Sequence, residues 1–143
     1  MPSVAKHFTL GKNERLKSRK QIERLFKNGQ RFVSPPFRVF YSFENAQQSN
    51  ILTSSVAACF LQAGFGASSR IFKKAIDRNR IKRLAREAYR LQKNTLQDKL
   101  KEQNRKLNVF FIYTGKELPM YSDVYNSINK ALTKLLEIGN KKI

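Results

Sequence analysis

Residues 70–90 read RIFKKAIDRNRIKRLAREAYR. Asp77 is a residue type that often caps the N-terminus of a helix, and neither Pro nor Gly follows it until Gly115. The pattern therefore predicts one helix from residue 78 to about residue 102. On a helical wheel, the apolar residues of its first half form one stripe that would pack on a core, namely Ile81, Leu84, Ala85, Ala88 and Leu91.

The opposite face of this helix is cationic. It contains Asn79, Lys82, Arg83, Arg86 and Arg90, with Arg80 on its shoulder. Glu87 is the only acidic residue between positions 78 and 90. A solvated helix face usually mixes charges, because opposite charges four positions apart attract each other. Since Arg presents a planar fork that matches phosphate oxygens, this surplus of positive charge predicts a phosphate-binding surface.

The charge of the whole chain predicts a polyanionic partner. Its 143 residues include 29 Lys and Arg against 10 Asp and Glu, which gives a formal net charge of +19. Residues 1–43 contribute +8 and residues 70–106 contribute +10, whereas residues 44–69 and 107–143 contribute only −1 and +2. Hydrophobic residues make up 41% of the chain, which is enough for a core. Two basic blocks on a foldable chain predict a shaped surface for phosphates.

Several functional classes are disfavoured by what the sequence lacks. No apolar run reaches the roughly 18–20 residues of a membrane helix, and residues 1–12 have no signal-peptide core. We therefore expect a cytoplasmic protein with no membrane partner. Cys59 and His7 are the only residues of their types, which excludes an internal disulfide or a CxxC zinc site and argues against His-based catalysis. We predict no catalytic residue and no small-molecule substrate, and the sequence assigns no metal ligand.

Two further helices are predicted near the ends of the chain. Ser18 and Gln21 match a capping box, which predicts a helix over residues 19–28. The other covers residues 122–138, where apolar residues repeat at helical spacing and Gly139 is a typical stop.

Three strands are predicted from runs of aromatic and β-branched residues. They cover residues 37–43, which follow the break at Pro35-Pro36, residues 61–69, and residues 107–113. The last run is almost continuously apolar, which is typical of a central strand covered on both faces. Residues 44–60 form either a loop or an additional strand.

With the additional strand in residues 44–60 counted, these elements follow the order α-β-β-β-α-β-α. They predict an α+β fold with a central mixed sheet of about four strands and three helices. No internal repeat or long linker divides the chain, so we expect a single domain over residues 1–143. Residues 1–12 and 140–143 are expected to be flexible at its ends.

One block within the opening stretch is typical of a known family. Arg78-Asn79-Arg80, followed by IKRLARE at residues 81–87, closely resembles the signature of the bacterial ribonuclease P protein component. The resemblance continues in ERLK at residues 14–17 and FKNG at residues 26–29, and then in the strands and the closing helix. It covers roughly residues 10–138.

The resemblance implies both a fold and a function. The implied fold is a compact α/β sandwich with a left-handed β-α-β crossover, opposite to the usual hand. The implied function is to form a complex with a large catalytic RNA, and this complex removes the 5′ leader of precursor tRNA. In that complex the RNA and its bound Mg²⁺ perform the cleavage, and the protein, which has no cofactor of its own, assists substrate binding.

Matching positions imply two RNA-binding surfaces. The face for the catalytic RNA comprises Arg78, Asn79, Arg80, Lys82, Arg83 and Arg86. The cleft for the tRNA leader comprises Ile22, Phe26, Phe40, Arg70 and Lys74. Apolar groups beside cations suit single-stranded RNA, because its bases stack on the apolar groups while its backbone meets positive charge.

Three positions depart from the family pattern. Ile22 stands where many relatives have an aromatic ring, and Ser69 stands where a Lys is often found. Both changes weaken the predicted contacts with the leader. Lys73 replaces a common Gly, which alters the turn but restores positive charge nearby.

Two alternatives compete with this interpretation. Phe26 and Phe40 are also explained as ordinary core residues. The charge is also explained by a general basic RNA- or DNA-binding protein, such as a ribosomal protein, with no role in processing. That hypothesis predicts little preference between precursor and mature tRNA, and it does not account for the ordered matches outside residues 70–90.

Overall fold

The computed structural model describes residues 15, 16, 18–45 and 61–141. The predictions for residues 1–12, for residues 46–60 of the stretch 44–60 and for residues 142 and 143 lie outside the described residues. Residues 44 and 45 instead belong to the strand that starts at Phe37, and residues 140 and 141 belong to the last helix. The described elements, in chain order, are α1 (Arg19–Asn28), β1 (Gln30–Ser34), β2 (Phe37–Asn45), β3 (Leu61–Ala67), α2 (Ala75–Gln92), α3 (Asn94–Gln103), β4 (Arg105–Tyr113) and α4 (Tyr121–Lys141).

The strands form one mixed sheet in the spatial order β1-β2-β4-β3. β2 pairs antiparallel with β1 and β4, whereas β3 pairs parallel with β4. The α+β fold with a mixed four-stranded sheet is thus confirmed. Parallel neighbours need a crossover, and here α2 and α3 provide it between β3 and β4. The left hand that the resemblance implies for this crossover stays a prediction.

Each face of the sheet has its own hydrophobic cluster. The larger cluster joins alternate residues of β2, β3 and β4 to buried residues of α2, α3 and α4. The smaller cluster, on the opposite face, contains the buried residues Leu16, Leu25 and Phe40, with Leu25 contributed by α1. The sheet is therefore covered by three helices on one face and by a single short helix on the other.

α1 begins and ends where the sequence predicts. The Ser18 hydroxyl accepts a hydrogen bond from the Gln21 backbone N–H at 3.4 Å, and the Gly29 N–H donates to the Leu25 carbonyl at 2.9 Å. Leu25 is the one buried residue of this helix. The other apolar residues of α1 are thus left partly accessible to a ligand.

β1 is not predicted by the sequence pattern. It is a five-residue edge strand in which only Ser34 is buried, so its residues do not alternate between apolar and polar. Its conformation depends on pairing with β2 in a hairpin, in which Gln30 lies opposite Tyr41. Such pairing is not visible in a short run of sequence.

The prediction of a single helix over residues 78–102, capped by Asp77, is wrong at its start and in its length. α2 begins at Ala75 with Lys74 as the N-cap, because the Lys74 carbonyl already accepts from the Arg78 N–H at 3.3 Å. Asp77 lies in the first turn, where its negative charge interacts favourably with the helix dipole. The helix is interrupted at Lys93, before the weak helix formers Asn94 and Thr95. There are therefore four helices among the described residues rather than three.

The packed stripe of α2 also differs from the prediction. Leu91, which was expected on the stripe, is 40% exposed, whereas Tyr89 is fully buried. Ile81, Ala85 and Ala88 are buried as expected. The buried arc is therefore rotated toward the side of the helix on which Tyr89 lies.

α4 continues beyond its expected end. Its apolar stripe is confirmed, but the helix runs through Gly139 to Lys141. Gly139 is buried, and its carbonyl accepts a hydrogen bond from Arg105 Nη1 at 3.0 Å. This contact with β4 stabilises the helical conformation at Gly139, a residue type that often ends a helix.

Two serines connect the β1–β2 turn to α4, and removing one of them should lower stability. The Ser34 hydroxyl donates to the Ser127 carbonyl at 2.9 Å, and the Ser127 hydroxyl donates to the Pro35 carbonyl at 2.9 Å. We expect Ser127→Ala to lower the free energy of unfolding by about 1 kcal/mol, because the Pro35 carbonyl loses its hydrogen-bond donor. Urea unfolding measures the change. Ser122→Ala, at an exposed position of the same helix, is the control, and an equal loss there would contradict the role of Ser127.

Candidate nucleic-acid interface

Successive side chains of β2 and β4 point to alternate faces of the sheet. Phe40 lies opposite Phe110, and Phe110 lies opposite Gly64 of β3, so these three residues share one row across the sheet. The next row contains Arg38 and Ile112. Because neighbouring residues of a strand point to opposite faces, these rows face α1, whereas their odd-numbered neighbours face the larger cluster.

Three phenylalanines meet beneath α1. The ring of Phe26 lies 4.8 Å from that of Phe40 and 5.2 Å from that of Phe110, and it meets the second edge to face. Phe40 is only 7% exposed and forms the floor, whereas Phe26 is 39% exposed and forms the rim. Ile22 and Ile112 are partly buried against the same cluster. We call Ile22, Phe26, Phe40, Phe110 and Ile112 the aromatic surface.

Two glycines of β3 make room for the ring of Phe110. A Cβ atom on Gly64 would lie 2.5 Å from Phe110 Cδ2, and one on Gly66 would lie 3.1 Å from Phe110 Cε1. Both distances are shorter than ordinary carbon–carbon contacts. These glycines are therefore needed for close packing on the face opposite the larger cluster.

Phe110 and Ile112 are functional candidates that the sequence analysis misses. They lie within the almost continuous apolar run of β4, which predicts full burial on both faces. The structure instead leaves both residues half-buried. Their exposure follows from the shortness of α1, which does not cover the whole width of the sheet.

Cations border the aromatic surface. Arg38 is exposed and lies in the row of Ile112, and Arg31 is exposed and lies opposite Phe40 on β1. The predicted cleft residues Ile22, Phe26 and Phe40 are thus brought together beside positive charges.

Arg70 and Lys74 lie in a neighbouring loop rather than within the aromatic surface. Both are exposed in the segment of residues 68–74, which connects β3 to α2. Ser68 fixes the start of this segment: its hydroxyl accepts from the Arg70 N–H at 3.3 Å and its carbonyl accepts from the Phe72 N–H at 2.9 Å. We call residues 68–74 the β3–α2 loop. It leaves the sheet at the end where Arg38, Ile112 and Gly66 lie.

The positions that depart from the family pattern lie in the same loop. Ser69 and Lys73 are both exposed. Among the described residues, Asn104 is the only one other than glycine with a positive φ. Lys73 therefore adopts a backbone conformation that does not require the glycine common at this position.

α2 presents its basic residues on the outside of the helical layer. Asn79, Arg80 and Arg83 are exposed, and Lys82 and Arg86 are half-buried. We call these five residues the basic face of α2. Arg90 is half-buried and forms an ion pair with Glu87, with 3.1 Å between Arg90 Nε and Glu87 Oε2. The hydrogen bond from Arg90 lowers the pKa of the Glu87 carboxyl below its ordinary value.

Arg78 differs from the rest of its triplet. It is half-buried, and its Nη1 donates to the carbonyls of Phe72 at 2.7 Å and Lys73 at 2.9 Å. Part of its hydrogen-bonding capacity is thus used within the chain. Neither Asn79 nor Arg80, its exposed neighbours, has this environment.

Within the described part of the chain, no three His, Cys, Asp or Glu side chains converge as metal ligands. The expectation of Mg²⁺ concerns the ribonucleoprotein and stays a prediction.

No helix among the described residues is both long enough and apolar enough to cross a membrane.

Comparison with known proteins decides the family. The family model described as Ribonuclease P matches residues 10–136. The chain belongs to the ribonuclease P protein family. The ribonuclease P protein component of Porphyromonas gingivalis is 36% identical over 131 residues, which cover 90% of this chain and 87% of that relative. The corresponding protein of Borrelia hermsii is 27% identical over 126 residues, which cover 88% and 95% of the two chains.

Solved structures of ribonuclease P proteins have the same fold. The Staphylococcus aureus RNase P protein aligns with a TM-score of 0.62 at 18% identity, over 86% of this chain and 94% of that one. A mutant of the same protein, described as defective in mRNA degradation activity, aligns with a TM-score of 0.64 at 19% identity, over 88% and 90% of the two chains. At these identities, the likeness shows the fold alone.

Proposed function

We propose that this chain is the protein subunit of ribonuclease P and binds both the catalytic RNA and the 5′ leader of precursor tRNA. The RNA and its Mg²⁺ hydrolyse the phosphodiester bond, which releases the leader and leaves the mature 5′ end. The protein has no catalytic residue in this reaction. Its membership of the ribonuclease P protein family and its net charge of +19 support the proposal.

The basic face of α2 is the proposed site for the catalytic RNA. Arg80 and Arg83 are exposed and lie on one helix that is anchored in the larger cluster by Ile81 and Ala85. A rigid helix therefore holds several cations at fixed spacing. Such an array matches successive phosphates of a structured RNA, which explains why like charges are kept close together.

The aromatic surface is the proposed site for the leader. The observation that carries this assignment is the 39% exposure of Phe26 at the edge of a three-ring cluster bordered by Arg31 and Arg38. Unpaired bases stack on aromatic rings whatever their sequence, and exposed cations contact the backbone. Leaders differ in sequence between tRNAs, so a surface of this kind suits them.

Cleavage of precursor tRNA at low Mg²⁺ tests the proposal. The cognate catalytic RNA would be assayed with and without the protein on substrates whose leaders range from one nucleotide to several. We expect stimulation that increases with leader length, because each added nucleotide gains contacts with the aromatic surface. Tight binding to both RNAs without any stimulation would instead support a general basic RNA-binding protein.

Replacing Phe26 should weaken binding of precursor tRNA selectively. The loss of one stacked base costs on the order of 1–3 kcal/mol, so we expect Phe26→Ala to reduce the affinity of the holoenzyme for precursor tRNA by about 5-fold or more. Affinity for mature tRNA, which has no leader, should not change. Equilibrium binding of the two substrates in Ca²⁺, which slows cleavage, measures both values.

Two controls separate stacking from general effects. Leu91→Ala removes a side chain that is 40% exposed, close to the exposure of Phe26, on α2 instead of α1. It should leave the affinity for both substrates unchanged. Phe26→Leu keeps most of the apolar volume but removes the ring. Equal losses for precursor and mature tRNA in the Phe26 variants would overturn the assignment of the aromatic surface.

A further inference from the structure

The first arginine of the Arg-Asn-Arg triplet has a different environment from the second. Arg78 lies in the first turn of α2, three residues before the fully buried Ile81, and is itself half-buried. Arg80 is exposed. A side chain at the edge of the packed stripe is directed along the protein surface more than into solvent, and its contacts confirm this.

The guanidinium of Arg78 binds the backbone that precedes its own helix. Nη1 donates to the Phe72 carbonyl at 2.7 Å and to the Lys73 carbonyl at 2.9 Å. Both distances are those of strong charge-assisted hydrogen bonds. Lys74, the N-cap, makes no side-chain capping hydrogen bond. Arg78 is therefore the side chain that ties the backbone before α2 to the helix.

The segment that Arg78 holds is the β3–α2 loop. Ser68 anchors the start of this loop through its hydroxyl and carbonyl, and Arg78 anchors the end. Between these two anchors, Phe72 is buried against the ring of Tyr113, with 6.0 Å between centroids. The exposed cations Arg70 and Lys74 thus lie on a loop with three points of attachment.

The same loop connects the two proposed RNA surfaces. It follows β3, whose Gly64 and Gly66 contact Phe110 in the aromatic surface, and it leads into α2, whose basic face begins at Asn79. We infer that Arg78 is a positioning residue, which holds the β3–α2 loop so that Arg70 and Lys74 stand beside the leader, and that it does not serve primarily as a phosphate contact. This inference rests on the proposed function.

The experiment compares Arg78→Ala with Arg80→Ala in the reconstituted holoenzyme. Two readouts distinguish positioning from phosphate contact: the ratio of precursor to mature tRNA affinity, and the slope of log affinity for the catalytic RNA against log salt concentration. Removing a phosphate contact reduces the magnitude of that slope by about one. Removing a positioning residue instead changes the ratio of precursor to mature tRNA affinity.

We expect Arg78→Ala to reduce the precursor-to-mature ratio by about 10-fold, the scale of one charge-assisted hydrogen bond, with little change in the salt slope. Arg80→Ala should lower the salt slope by about one and leave the ratio near that of the natural sequence. Amide hydrogen exchange in the free protein should also show faster exchange at Phe72 in Arg78→Ala, because its N–H lies within the released loop.

Arg78→Lys covers the case in which the alanine variant does not fold. Lys keeps the charge but has a shorter reach and no guanidinium, so the ratio should fall while the slope stays unchanged. A slope lowered by about one in Arg78→Ala, with the ratio intact, would overturn the inference. If the natural sequence itself shows no preference for precursor tRNA, the proposed function fails, and the exchange measurement still reports whether Arg78 holds the loop.

Discussion

Replacing Phe111 with alanine is expected to lower the free energy of unfolding by about 3–5 kcal/mol. Phe111 is fully buried in the larger cluster. Its ring stacks on Phe65 at 5.5 Å between centroids and lies within 6.4 Å of Tyr89 and Phe37. Truncation would leave a cavity between β4 and α2 that rigid neighbours fill only in part. Urea unfolding followed by circular dichroism measures the loss.

Phe110 provides the matched control for this prediction. It is the preceding residue of the same strand and has the same side chain, but it is half-buried on the opposite face. We expect Phe110→Ala to cost only about 1–2 kcal/mol, because less apolar surface returns to water. Binding of precursor tRNA should fall in this variant. If the two substitutions lowered stability equally, the assignment of the two faces of β4 would be wrong.

The second large effect is expected when three cations of the basic face are removed together. We expect Arg80→Ala, Arg83→Ala and Arg86→Ala, combined in one protein, to lower the affinity for the catalytic RNA by about 100-fold near 0.1 M salt. Each lost phosphate contact no longer releases a counterion, so the salt slope should fall by about two to three. Filter binding or fluorescence titration over a range of salt concentrations measures both quantities.

A charge-matched control separates the geometry of the face from the net charge. Lys101, Lys116 and Lys130 are exposed at other positions, on α3, on the loop after β4 and on α4. Replacing all three with alanine removes the same total charge, and we expect a loss of affinity below 10-fold, without a matching change in slope. A loss equal to that of the arginine variant would contradict a specific basic face and would favour attraction by net charge alone.

Much of the fold is predictable because the residue patterns that determine it lie within single helices or strands. Ser18 and Gln21 lie three residues apart, so the capping geometry of α1 is already present in the sequence, and the structure confirms both ends of that helix. The apolar stripe of α4 is likewise a local pattern, and the structure buries its residues wholly or in part against the larger cluster. The basic face of α2 is predicted in the same way, from periodicity within a single helix.

The features that sequence analysis misses depend on distant partners. β1 is defined by its pairing with β2, and its own residues show no alternation. Phe110 becomes a surface residue only because it lies opposite Phe40 and Gly64, which fixes its face, and because α1 is short. Helical periodicity also does not encode the break at Lys93, which precedes the weak helix formers Asn94 and Thr95. Nor does it encode the hydrogen bonds from Arg78 to the carbonyls of Phe72 and Lys73, which lie before the helix. That these surfaces bind RNA, and which RNA each of them binds, stays a prediction.

The alternation of side chains between the two faces of β2 and β4 limits how the sequences of homologues can change. Even-numbered positions of the two strands face α1, and odd-numbered positions face the larger cluster, so a substitution at one set leaves the other set in place. Inserting or deleting one residue in either strand would exchange the two sets and place core residues in solvent. In homologues we therefore expect constant lengths of β2 and β4. Exposed even-numbered positions such as Arg38 should vary more than the odd-numbered core positions.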